Sequence, residues 1–183
     1  MPRLTEARRD MRRDQIADAA MRCFARNGLD RTSIADIVAE SGLSAGSIYA
    51  HYRNKADLVT AVTGQVLDRK STVLQEWAAQ DPPPHPDEIP ARLVALMSPE
   101  KARVAVQTWA AATVDPGVRA VLAGMFDGLC ALLQDYATTW LITTQDTTRT
   151  DARERAVHMV RPLVAQFQSE ILSRALDLRV SPQ

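Results

Sequence analysis

An all-α fold is predicted by three observations. Apolar residues recur at three- and four-residue spacing along most of the chain, several of the ten prolines and seven glycines sit at segment boundaries, and no stretch alternates like a strand. With 183 residues and 46% apolar content, the chain has material for one small N-terminal unit and one larger bundle, each with its own core. Eight or nine helices are expected, divided into a three-helix head over residues 1–60 and a helical bundle over 61–183.

The first helix is read from about Arg8 to Asn27, with Ile16, Ala20, Cys23 and Phe24 inward and Gly28 as its stop. A helix-turn-helix follows over 33–52. Ser33 and Asp36 stand three apart, so that hydroxyl and carboxylate can each take the other's backbone N–H. Behind them Ile34, Ile37 and Val38 share a face, and Gly42 falls where the chain needs a residue tolerant of positive φ. Leu43 can then enter the core while Ser44 caps a second short helix. Its apolar face is Ile48 and Tyr52, and its other face offers Ala45, Gly46, Ser47, Tyr49 and His51. Small and hydrogen-bonding side chains on an exposed helical face suit close approach to a DNA groove. Asn54 and Asp57 repeat the capping arrangement. Lys55 lies in the first turn of the next helix, where a cation gains nothing from the helix dipole and a phosphate contact would explain it.

That fourth helix is expected from Asn54 to about Ala79, with Leu58, Val59, Val62, Val66, Val73, Leu74 and Trp77 as its apolar positions, joining head and bundle as one rod. Asp81-Pro-Pro-Pro-His-Pro breaks it into a stiff loop in which His85 is solvated. The spacing then predicts a short helix over Asp87–Met97, another over Pro99–Val114 and a long one over Pro116–Ile142, with Pro99 and Pro116 suited to first turns. The Thr- and Asp-rich stretch 143–151 reads as a loop. A last helical region over Asp151–Leu178 contains Pro162, which should kink or split it.

The formal net charge of zero hides an asymmetry. Residues 1–55 carry ten Arg and Lys against seven Asp and Glu, an excess of +3, and residues 56–183 carry twelve against fifteen, or −3. Arg3, Arg8, Arg9, Arg12 and Arg13 form a basic arm able to touch phosphates or enter a minor groove; a solvated helix start is the other reading. Gly42-Leu43-Ser44-Ala45-Gly46 matches the G-x-S-x-G nucleophile elbow, but that elbow needs a preceding strand and here a capped amphipathic helix stands before it. Catalysis is not indicated. His51, His85 and His158 stand apart with no ligand spacing, and no Gly-rich phosphate loop is present, so no metal and no cofactor are expected. Cys23 reads as a buried thiol, and Cys130, beside Leu129, Leu132 and Leu133, as non-redox. With no signal-peptide core and no stretch approaching the ~20 apolar residues of a membrane span, a cytosolic protein is expected.

From about Arg12 to Val62 the chain resembles the TetR (tetracycline-repressor) family of transcriptional regulators, on Phe24, Gly28, Thr32, Ser33, Ile37, Gly42, Ser44, Tyr49, His51, Tyr52, Lys55 and Leu58. The resemblance implies a homodimeric, ligand-responsive repressor on a palindromic operator. A constitutive DNA-binding architectural or interaction protein is the alternative. Carried onto matching positions, it implies that Thr32, Ser33, Tyr49, His51 and Lys55 clamp phosphates, that Ser44, Ala45, Gly46 and Ser47 face base edges, and that Tyr52 belongs to the same DNA-binding set. The recognition helix has no Arg, Asn or Gln at its exposed start, so DNA shape or bridging waters would carry much of the specificity. The resemblance also implies a dimer through the last two long helices and a cavity in the larger domain. Met97, Gln107, Trp109, Met125, Phe126, Tyr136, Trp140, His158, Met159 and Phe167 are its candidate lining, suggesting a small apolar or aromatic effector without an evident charge partner.

Overall fold

The computed structural model describes the backbone of residues 6–29 and 31–178 and their side chains apart from those of 6–7 and 63–69. Arg3 of the basic arm lies outside these residues. Among them the chain is all helical: α1 Glu6–Asn27, α2 Ile34–Ser41, α3 Ala45–Tyr49, α4 Lys55–Ala78, a 3-10 turn Pro86–Glu88, α5 Ile89–Ala95, α6 Pro99–Ala112, α7 Pro116–Gln145 and α8 Arg149–Ala175.

The head is assembled by local polar chemistry around a small core. At α2 the Ser33 hydroxyl accepts from the Asp36 N–H while the Asp36 carboxylate accepts from the Ser33 N–H, and α2 ends at Gly42 in the left-handed region, φ +68°. Ser44 caps α3 by accepting from Ser47, and Asn54 caps α4 by accepting from Asp57. Ile16, Ala20, Cys23 and Phe24 of α1 meet Ile37, Ile48 and Leu58, all essentially without solvent access. Arg22 and Arg26 both reach Glu40 and tie α1 to α2, which holds the Glu40 carboxyl below its usual range. The core does not stop at the expected boundary near residue 60. Val104, Ala112 and Val118 of α6 and α7 belong to the same apolar cluster.

In the bundle, α7 and α8 pack along each other, and α5 and α6 lie across α8. A second core gathers Leu74, Ile89, Leu93, Leu129, Leu133, Tyr136, Leu163, Phe167 and Ile171. Two expectations are corrected here and a third is narrowed. The loop at 143–151 shrinks to 146–148, because Thr143 and Thr144 donate their hydroxyls to the Thr139 and Trp140 carbonyls and so stay in helix, while Thr148 caps α8. Pro162 does not split the last helix. It sits inside one continuous α8 on an exposed face, where water can serve the His158 carbonyl that loses its N–H. Finally, α7 is long and apolar enough to cross a membrane, with a mean hydropathy of 1.4 over its most apolar stretch. That stretch is only 17% buried within the subunit. In this fold α7 packs on α4, α6 and α8, so its apolar character has a bundle to serve.

Candidate nucleic-acid interface and internal cavity

The exposed side of α3 is small and bare. Ser44, Ala45, Gly46 and Tyr49 face solvent, Ser47 is half-buried, and a Cβ at Gly46 would meet nothing within 4 Å. Ser33 is exposed at the start of α2, Lys55 is half-buried in the first turn of α4, and His51 is half-buried just after α3. Beside His51 a surface recess is lined by Arg9, Asp10, Arg13 and Ala50. Arg9 and Arg13 of the arm therefore lie on α1 itself, beside the end of α3. Burial, then the charges of Arg9, Arg13 and Arg12, push the His51 imidazole below its ordinary value of 6.5. The neutral ring sits in a cationic setting that an anion would reverse.

Two of the residues assigned to DNA contact have other work. Thr32 is 3% exposed and its hydroxyl donates to the Gly28 carbonyl at 2.8 Å, closing the turn between α1 and α2. Tyr52 is also 3% exposed and its phenol donates to the Arg13 carbonyl at 3.3 Å, fixing α1 against the end of α3. Both hold the face in shape, and their side chains do not form it. Ser44, the serine of the G-x-S-x-G match, is a helix cap, and among the described residues it is the helix α2 that precedes it. Cys23 is buried with its thiol directed at the Asp36 carbonyl, and burial pushes its pKa up.

Behind the head lies a cavity of about 320 Å³. Its walls come from both parts of the molecule: Met21, Phe24 and Leu29 at α1, Val59 and Val62 of α4, Leu93 and Met97 around α5, Val104 and Trp109 of α6, Leu122 and Met125 of α7, and Phe167 and Ile171 of α8. Of the ten residues expected to line it, Met97, Trp109, Met125 and Phe167 do so. The others are placed elsewhere. Phe126 packs behind Trp109, with ring centroids 6.3 Å apart. Tyr136 donates to the Pro84 carbonyl at 2.8 Å, and Trp140 meets His85 edge-on at 4.6 Å, so both anchor the proline loop, in which His85 remains exposed. Gln107 turns its Oε1 toward Gly28, His158 is exposed, and Met159 packs on the second core. A residue that sequence reasoning missed is Lys70 of α4, which lines the cavity. The signal was present: Lys70 lies four residues after Val66 and three before Val73, on the apolar stripe of that helix.

Residues 16–62 match the family model for bacterial regulatory proteins, tetR family. The chain is similar to the HTH-type transcriptional regulator TtgR of Pseudomonas putida, 44% identical over 81 residues, which is 44% of this chain and 39% of that protein. It is also similar to the HTH-type transcriptional repressor Rv1474c of Mycobacterium tuberculosis, 36% identical over 73 residues, 40% of this chain and 39% of that one. In both cases, then, the matched segment spans about two fifths of the relative's length. Solved structures extend the likeness in fold across the chain. Salmonella enterica GusR superposes with a TM-score of 0.68 at 22% identity, covering 97% of this chain and 91% of its own. A Rhodococcus regulator superposes with a TM-score of 0.66 at 18% identity, covering 93% and 90%.

Proposed function

Because the chain belongs to the TetR family of bacterial transcriptional regulators, we propose that it is a ligand-responsive repressor that binds a palindromic operator as a homodimer. The observation that carries this reading is the cavity that α1 and α4 of the head share with α5–α8 of the bundle. A molecule filling that space touches the element that carries the recognition helix and the elements that anchor it. If it fits one arrangement of head and bundle better than another, it shifts the dimer toward that arrangement. The operator is then released.

In this reading residues 1–60 are the DNA-binding head and 61–183 the effector and dimerisation unit. Ser44, Ala45, Gly46 and Ser47 approach base edges, while Ser33, Tyr49, His51 and Lys55, with Arg9 and Arg13, surround the phosphates. Two heads must stand about 34–36 Å apart to meet successive turns of the duplex. The partner surface is α7 with α8. Much of the apolar stretch of α7 is only half-buried within its own subunit, and Val157 and Leu172 of α8, with Leu176 just after it, are exposed. A cytoplasmic location follows from the proposed partner, chromosomal DNA.

Selection of genomic fragments by the purified protein, with and without a small-molecule extract of cells, tests the proposal. The expected result is an enriched palindrome with half-sites one helical turn apart, depleted when extract is added. Enrichment that no extract relieves would replace it with a constitutive DNA-binding role, and no enrichment would remove operator recognition altogether.

A further inference from the structure

Among the described residues, the cavity wall carries a half-buried cation and no counter-charge. Lys70 places its Nζ 4.1 Å from the centroid of the Phe167 ring, and among the described residues lining the space there is no Asp or Glu. The other cation on the lining, Lys101, is exposed. An aromatic face compensates an ammonium only in part, and a buried charge without an anion costs free energy that a ligand anion would recover. Burial accordingly pushes the Lys70 ammonium down to about 8 from its ordinary 10.5. It remains mostly charged at neutral pH. A second donor is also unserved, because the indole N–H of Trp109, another lining residue, is buried without a hydrogen-bond partner. The remaining wall is apolar, as at Leu93, Val104, Leu122 and Ile171.

We propose that the effector is an apolar organic acid, a single carboxylate or comparable anionic oxygen group on an apolar body, with its oxygen accepting from Lys70. The proposal rests on the effector-cavity reading above and narrows it to a chemical class. One buried cation balances one negative charge, and a volume of about 320 Å³ is at the small end for ligand pockets, which sets the size of the body. Cationic ligands are disfavoured twice, by Lys70 and by the lack of a carboxylate among the described lining residues.

The test is calorimetric titration of the whole protein with three probes that share one body and differ in head group: decanoate, 1-decanol and decylamine. Decanoate is expected to bind about tenfold or more tightly than decanol, the scale of one charge-assisted hydrogen bond, and decylamine more weakly than either. Lys70→Met should bring decanoate down to the level of decanol, and Lys70→Arg should retain the preference, with circular dichroism confirming that both variants are folded. Equal binding of decanoate and decanol to the wild type, or a preference unchanged in Lys70→Met, overturns the assignment of the head group and leaves the cavity as the effector site. Absence of binding by all three probes overturns the proposal together with the effector-cavity reading. Decanoate binding that depends on Lys70 yet leaves DNA affinity unchanged supports the ligand chemistry and overturns induction.

Discussion

The head and the bundle handle polar groups in opposite ways. In the head the starts of α2, α3 and α4 are capped by neighbouring side chains, Glu40 holds two arginines, and the buried hydroxyl of Thr32 has its acceptor. Where the bundle meets the head, a half-buried lysine lies over a ring, the Trp109 N–H and the Gln107 oxygen are buried without partners, and about 320 Å³ stands open. A surface that must match a fixed groove gains from having one shape. A cavity that must discriminate between occupied and empty states gains from groups that a ligand can satisfy.

Truncation of the two cores should expose this difference most strongly. Leu58→Ala, at a position with 0% exposure in the head, is expected to cost about 2–5 kcal/mol in urea unfolding. Leu93→Ala, in the second core and beside existing empty space, is expected to cost less, about 2 kcal/mol. Equal costs would mean that the bundle is packed as tightly as the head.

Lys70 gives the next effect, with the opposite sign. Its folded value of about 8 lies below 10.5, so between these values the unfolded chain holds more protons and stability rises with pH. Below about pH 8 the cost of the buried charge is present in full. Lys70→Met should therefore stabilise the protein at pH 7 by on the order of 2 kcal/mol and remove the rise toward pH 10, read by thermal unfolding across that range. In the head, Gly42→Ala should cost about 1–2 kcal/mol through backbone strain alone, because φ is +68° and a Cβ there would meet nothing within 4 Å.

Two smaller effects belong to the DNA face. The His51 pKa is depressed in the free protein, and a bound phosphate would raise it, so binding takes up protons. Operator affinity should then increase a few-fold as pH falls through 6.5, and His51→Gln should flatten the profile. Lys55→Ala should weaken binding to all sequences alike and reduce the salt slope by about one unit, and an unaltered slope would remove Lys55 from the contacts.

The same contrast governs what could be read from the sequence. The caps at Ser33, Ser44 and Asn54 and the turn at Gly42 depend on residues three or four apart, so the head was legible almost residue by residue. The resemblance pointed to a face of α3 that is exposed, but carried along Thr32 and Tyr52, whose side chains turn inward to Gly28 and Arg13. In the bundle the helices were found but their ends were not, since whether Thr143 and Thr144 leave a helix or bond back into it has no strong local signal. The cavity was the least legible part. Which aromatic side chains face it depends on how long helices are rotated against each other, and that is set by contacts far apart in sequence. Trp140 and Tyr136 looked equivalent to Trp109 and Phe167 until the proline loop claimed them.

In the proposed mechanism occupancy of the cavity and grip on the operator are linked, and linkage is reciprocal. The direct measurement is a pair of titrations: operator affinity with the cavity empty and saturated, and ligand affinity with the protein free and on the operator. The account predicts that each ligand bound in the cavity weakens operator binding about tenfold or more, and that the operator weakens ligand binding by the same factor. A ligand that fills the cavity and leaves operator affinity unchanged would contradict it.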